Sequence, residues 1–190
     1  MADVKPGRYQ FKRASTADEF EQVFRLNHDV FASELAQHQS DGSGLLVDKF
    51  HDKNTYFLAL HQGQVIGMLA VHDQPPFSVA GKLQDPESVL VSLGRLVEVR
   101  LLAVEPAHRN GRVMAGLLLQ LYRHARPGDR DLYDSIVISG HAAKATIYHE
   151  LGFKDLGPAV ASGEAIYVPM AVSLDDLAER QARWSARLKV

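Results

Sequence analysis

Val97-Glu-Val-Arg-Leu-Leu-Ala-Val-Glu-Pro-Ala-His-Arg-Asn-Gly-Arg-Val-Met-Ala-Gly116 reads as a strand, a Pro-bounded turn, a basic loop and the start of a helix. The alternating run from Val97 to Val104 is the strand. Val113, Leu117, Leu118, Leu121 and Tyr122 recur with helical period. Where a strand feeds a helix in this way, free backbone N–H groups and the positive end of the helix dipole converge. Arg109, Asn110, Gly111, Arg112, Val113, Met114 and Ala115 are therefore the expected phosphate-binding turn. It has neither the Walker spacing nor Gly-x-Gly-x-x-Gly.

Outward from this stretch, the chain alternates strands and helices. Arg8 to Arg13 is a candidate first strand. Thr16-Ala-Asp-Glu19 is a capping box, and Phe20, Val23, Phe24, Val30, Phe31 and Leu35 mark the helix after it. Ser40 to Gly44 is a loop by composition. Tyr56 to Leu60 and Val65 to Val71 form a hairpin across Gln62-Gly63-Gln64. Gln74 to Gly94 reads as irregular, with Pro75, Pro76 and Pro86. Ser135 to Ser139 is a short apolar strand, a helix follows around Tyr148, and Ala165 to Val172 is the last strand. The pattern predicts an α/β (α+β) mixed sheet, antiparallel early and parallel later.

The bulk numbers narrow the class. A chain of 190 residues is long enough for one domain with a buried core. With 46% hydrophobic and 23% charged residues, the composition is that of a soluble globular protein. A net charge of -2 argues against nucleic acid as a partner. Cysteine is absent, which excludes a thiol nucleophile, disulfides and thiolate zinc sites. The nine histidines lack metal-ligand spacing, so no metal is expected. No signal peptide and no membrane-length apolar run is visible, so the expected location is cytoplasmic and off the membrane. Residues 1–172 read as one domain. Residues 173–190 read as a separate helix with a stripe of Leu174, Leu177, Gln181, Trp184 and Leu188, either docked on that domain or contacting a partner.

Two segments carry a family resemblance. Val104-Glu-Pro-Ala-His-Arg109 with the helix after it resembles the acyl-CoA loop of the GNAT family of N-acyltransferases, whose usual form is Arg/Gln-x-x-Gly-x-Gly/Ala. Arg109 matches, whereas Arg112 and Met114 stand where small residues are usual. His141-Ala-Ala-Lys-Ala-Thr-Ile-Tyr-His-Glu-Leu-Gly-Phe153 resembles the family's Asn-x-x-Ala-x-x-x-Tyr-x-x-x-Gly-Phe helix, with His141 in the Asn position and Tyr148, Gly152 and Phe153 matching. The order and separation of the two segments are also the family's.

The resemblance implies a mostly antiparallel sheet of six or seven strands, flanked by helices, whose central parallel strands splay. Main-chain groups near Leu102, Ala103 and Val104 would then meet the pantetheine arm, with His141 beside the donor. It implies transfer of an acyl group, acetyl by family abundance, from acetyl-CoA or another acyl-CoA to a primary amine by direct attack. Tyr148 would protonate the leaving thiolate; a phenol with an ordinary pKa near 10 suits that task. Glu98 is the candidate base. Burial would raise its pKa and Arg100, on the same strand face, would lower it; the alternative is a structural Glu98–Arg100 pair.

Leu26-Asn-His-Asp-Val-Phe31, Asp48-Lys-Phe-His-Asp52 and Glu98-x-Arg100-Leu-Leu-Ala-Val104 also resemble the acyl-homoserine-lactone synthase and N-acyl amino acid synthase branch. An Arg usual before the Val-Phe pair is Asn27, and another expected near Ala70 is missing. That branch implies a long-chain donor on acyl-carrier protein, to which Arg109, Arg112, Arg123 and Arg126 could present a basic patch. A fold kept for acyl-CoA binding without turnover is a third reading. A small-molecule amine is the expected acceptor, and a homodimer is a candidate assembly.

Overall fold

The computed structural model of the chain describes residues 9–35, 42–128, 130–163 and 165–180. Eight strands form one sheet: β1 (Gln10–Arg13), β2 (Thr55–His61), β3 (Gln64–His72), β4 (Leu96–Val104), β5 (Ser135–His141), β6 (Lys154–Asp155), β7 (Val160–Ser162) and β8 (Ala165–Ser173). The order is β1-β2-β3-β4-β5-β8-β6, with β7 also paired to β8. The expected six or seven strands become eight because two edge pieces, of two and three residues, are too short to leave a periodic pattern. The helices among the described residues are α1 (Ala17–Asn27), α2 (Pro86–Ser92), α3 (Gly111–Ala125) and α4 (Ala145–Glu150), and residues 174–180 are also helical.

Two compact units divide the described chain: residues 9–35, 42–70 and 101–121 in the first, and residues 71–100, 122–128, 130–163 and 165–180 in the second. In the first, the capping box closes as read: Glu19 N donates to Thr16 Oγ1, and Thr16 N donates to the Glu19 carboxylate. α1 buries Val23 and Leu26 against Leu58, Leu60, Val65 and Met68. The expected single helix to Leu35 instead widens after Asn27 into a π-helical turn, His28–Glu34, closed by Leu35 N donating to Val30 O. β2 and β3 are joined by Gln62 and Gly63, both at positive φ, as a two-residue hairpin turn requires. On α3, a Cβ at Gly116 would lie 2.0 Å from Phe11 Cζ, so the β1 aromatic ring rests directly on the helix backbone.

In the second unit, β5 pairs with β8 antiparallel along its whole length, Ser135↔Ser173 to His141↔Tyr167. Its other neighbour is parallel: the β4–β5 ladder runs from Leu96↔Ser135 to Val99↔Ile138. The segment expected to be irregular, Gln74 to Gly94, holds a 3-10 turn (Ser78–Lys82) and α2. Asp85 caps α2 by accepting from Ser88 N, and Pro86 occupies the first turn. That Asp-Pro pair is a helix-start signal, masked in sequence by the nearby Pro75 and Pro76. Ser173 Oγ accepts from Asp176 N at the next helix start, and Leu174 and Leu177 are buried. Gln181, Trp184 and Leu188 lie outside the described residues.

Candidate active site

Glu98 is fully buried, and its carboxylate accepts four hydrogen bonds. Ser78 Oγ and Val79 N donate to Oε1 at 2.7 and 2.8 Å. Ser78 N and His72 Nε2 donate to Oε2 at 2.7 and 3.1 Å. Ser78 and Val79 open the 3-10 turn, so their N–H groups have no partner within it, and the strand carboxylate serves as their cap. Arg100 Nη1 donates to the same Ser78 hydroxyl at 2.5 Å.

Burial pushes the Glu98 carboxyl up, but the bonds from His72 and from the Ser78 backbone and hydroxyl, with the Arg100 charge, outweigh it and hold the group below its ordinary value. The opposition read from sequence, burial against Arg100, is thus decided by donors that sequence did not reveal. A carboxylate offers about four lone-pair sites, and here the protein fills all of them. His72 lies 26 positions away and Ser78 20, and neither spacing carries a motif.

Tyr148 stands on α4. A Cβ at Gly140 would lie 2.8 Å from Tyr148 Cδ2, so the missing side chain lets the ring lie directly on β5 beside Met170. Burial raises the phenol pKa and exceeds the opposing effect of the His141 backbone hydrogen bond, while Tyr167 adds to the rise. The ring stands at the C-terminal end of β5. His141 accepts from Ala143 N through Nδ1 at 3.2 Å, capping the turn that leads into α4. An Asn oxygen could make the same bond, which gives the His in the family's Asn position a physical sense. Gly152, at φ 98°, lets the chain reverse after α4, with Phe153 N donating to Tyr148 O.

Glu98, Tyr148 and His141 all belong to the second unit, whereas Leu102 to Val104 and the Arg109–Ala115 loop belong to the first. Within that loop, Arg109 N and Asn110 N donate to Pro106 O and His108 O. Asn110 Oδ1 accepts from Arg112 N and Val113 N, making Asn110 the cap of α3. Arg109 Nε donates to Val104 O at 3.0 Å, and its Nη1 donates to Glu34 Oε1 at 2.6 Å. Nη2 pairs with the second Glu34 oxygen, so the clamp is bidentate. Beside it lies a cleft of about 570 Å³, with Leu26, Val30, Pro106 and Ala107 as apolar wall and Asp29, Ser33, Glu34 and Glu105 as polar wall. Met68, Leu58 and Leu60 are buried in the core of this unit. Among the described residues, no cluster of His, Cys, Asp and Glu has a metal-binding arrangement, and no helix is long and apolar enough to cross a membrane.

The fold is that of the GNAT acyltransferases and synthases. FeeM, an N-acyl amino acid synthase from uncultured soil microbes, superimposes with a TM-score of 0.73 at 16% identity, over 94% of this chain and 97% of that one. The CoA-dependent acyl-homoserine lactone synthase BjaI gives 0.69 at 20% identity, over 93% and 90%. An acyl-CoA N-acyltransferase from Pseudomonas aeruginosa gives 0.57 at 17%, over 86% and 98%. No curated protein sequence matches. The family model described as N-acyl amino acid synthase FeeM matches residues 22–172, and the chain belongs to that family. It is an N-acyltransferase of the GNAT type.

Proposed function

We propose that the protein transfers the acyl group of an acyl-CoA to the amine of an amino acid by direct attack, with Tyr148 as the proton donor to the departing thiolate. The observation that carries this reading is the Tyr148 phenol, set against Gly140 at the end of β5, where burial raises its pKa. Attack of the neutral amine nitrogen on the thioester carbonyl forms the C–N bond, and the nitrogen of the adduct releases a proton to solvent. Collapse of the tetrahedral adduct breaks the C–S bond, and the thiolate takes the phenolic proton, which solvent then restores. Without cysteine, no acyl-thioester enzyme intermediate exists.

The donor's phosphate is assigned to the side chains of Arg109 and Arg112 and to the Gly111 N–H at the start of α3. Glu98 holds the Ser78 turn in this reading, and through Ser78 it fixes the half-buried Arg100. Arg100 is assigned to the acceptor carboxylate, with Tyr167 alongside; burial raises the Tyr167 pKa, and the Arg100 charge opposes that rise. A paired test separates these roles. Arg100→Gln should raise KM for an amino acid by at least tenfold and leave KM for the matching decarboxylated amine unchanged. Equal effects on both acceptors would remove Arg100 from that role.

Membership of the N-acyl amino acid synthase family supports an acyl chain longer than acetyl. The fully buried Met68, packed among Leu58 and Leu60, favours the second reading, acetyl. Each methylene accommodated would contribute about 0.8 kcal/mol. A donor series from acetyl- to decanoyl-CoA at fixed acceptor therefore discriminates them: kcat/KM climbing with chain length supports the first, and a sharp fall beyond three carbons supports the second.

A further inference from the structure

The donor loop already holds an internal anion at Arg109. Glu34, the last residue of the π-helical turn, meets Arg109 with both carboxylate oxygens, and the side chains are 38% and 42% exposed. A guanidinium forked onto one carboxylate presents to it the same planar pair of N–H groups that it would present to a phosphate. We propose that Glu34 competes with the donor phosphate for Arg109, so that donor binding and the clamp between the 28–34 turn and the loop exclude one another. This rests on the assignment of Arg109 to the donor phosphate.

Three features make the clamp a competitor rather than a fixed strut. Both side chains reach water, so the pair is weak enough to exchange. Arg109 is tethered separately by Nε to Val104 O, so its head stays in place when Glu34 leaves. The turn that carries Glu34 departs from α-helical winding, and within it only Val30 is buried. By linkage, whatever Glu34 gains from Arg109 is subtracted from donor affinity, and donor binding loosens the 28–34 turn by the same factor.

The test is calorimetric titration of coenzyme A into the full chain and into Glu34→Gln, Arg109→Gln and the double variant, each checked for folding by thermal melting. Glu34→Gln should tighten coenzyme A binding by about two- to fivefold, the range an exposed ion pair supplies. Arg109→Gln should weaken it, and in that background Glu34→Gln should have no effect. In the unsubstituted chain, coenzyme A should speed amide hydrogen exchange at residues 28–34. Unchanged or weaker binding by Glu34→Gln, equal tightening in both backgrounds, or slower exchange at 28–34 would overturn the competition while leaving the donor assignment intact. Unchanged binding by Arg109→Gln, or no binding of coenzyme A at all, would instead remove the donor assignment and the competition with it.

Discussion

Glu98 and Tyr148 address the same strand from opposite faces. Glu98 is the register partner of Val137 on β5, and the Tyr148 ring lies against Gly140. Residues an odd number apart on a regular strand point to opposite sides, and the β5–β8 ladder is unbroken from Ser135 to His141. The Leu96, Val137 and Ala171 side packs on Val79, and the other side carries Tyr148 with Met170. The two groups therefore work through different neighbours, and their substitution should have different signatures.

Tyr148→Phe keeps the ring on Gly140 and removes only the hydroxyl. In the proposed mechanism kcat should fall by roughly 10²-fold or more, the lower end for a lost general acid, with the donor dissociation constant within about twofold. Stopped-flow thiol release and equilibrium donor binding measure the two parts. A fall in affinity with kcat unchanged would make Tyr148 a donor-binding group.

Gly140→Ala should act through Tyr148. The new methyl must displace the ring, since 2.8 Å is closer than such contacts allow. The expected cost is about 1–3 kcal/mol in unfolding free energy, together with a loss of kcat approaching that of Tyr148→Phe. Wild-type turnover in a well-folded Gly140→Ala variant would argue that the ring position is unimportant.

For Glu98→Gln, a holding role and a base role give different outcomes. The neutral amide cannot accept all four bonds, and its own NH₂ would face donors. Unfolding free energy should drop by about 2–4 kcal/mol, while the pH at which kcat/KM turns over stays put. A variant of wild-type stability that loses the acidic limb of its pH–rate profile would identify Glu98 as the base.

Acid stability follows from carboxylates held below their ordinary values, among them Glu19, Asp134, Glu98 and Asp176. Hydrogen bonds from Lys12 and the Ser15 and Thr16 backbone lower Glu19 from 4.5 to about 2, and the Arg95 side chain and backbone lower Asp134 from 3.8 to about 2. Glu98 is depressed as well. The folded form thus binds fewer protons than the unfolded form in this range. Their stabilisation is complete above about pH 4.5 and is lost as pH falls toward 2. Melting temperature should therefore be level down to about pH 5 and decline steeply below it, less steeply in Glu19→Gln. A level profile from pH 5 to 3 would contradict the assignment.

The fold was legible where local chemistry repeats. The capping box at Thr16, the Gln62-Gly63 hairpin, the β4–α3 unit and the helix carrying Tyr148 were all readable. What escaped was tertiary. β6 and β7 exist only as partners of β8, and the π-helical turn keeps the apolar spacing of an α-helix. At the candidate site, Glu98 and Tyr148 stood out by position, and Arg100 stood out as a neighbour. The clamp from Glu34, the capping by Asn110 and the donors from His72 and Ser78 depend on which surfaces fold together, and no spacing encodes them.

Direct transfer of an acyl group from a thioester to an amino acid is tested by a paired count on one reaction. Octanoyl-CoA and a mixture of the common amino acids are incubated with the full chain. Free thiol is titrated while N-acyl amino acids are quantified by mass spectrometry, and the protein's intact mass is recorded. One amide should form per thiol released, with no stable acyl adduct on the protein and both products lost in Tyr148→Phe. Octanoyl-CoA bound without thiol release, thiol released without amide, or an acylated protein that goes on to form the amide would contradict direct transfer.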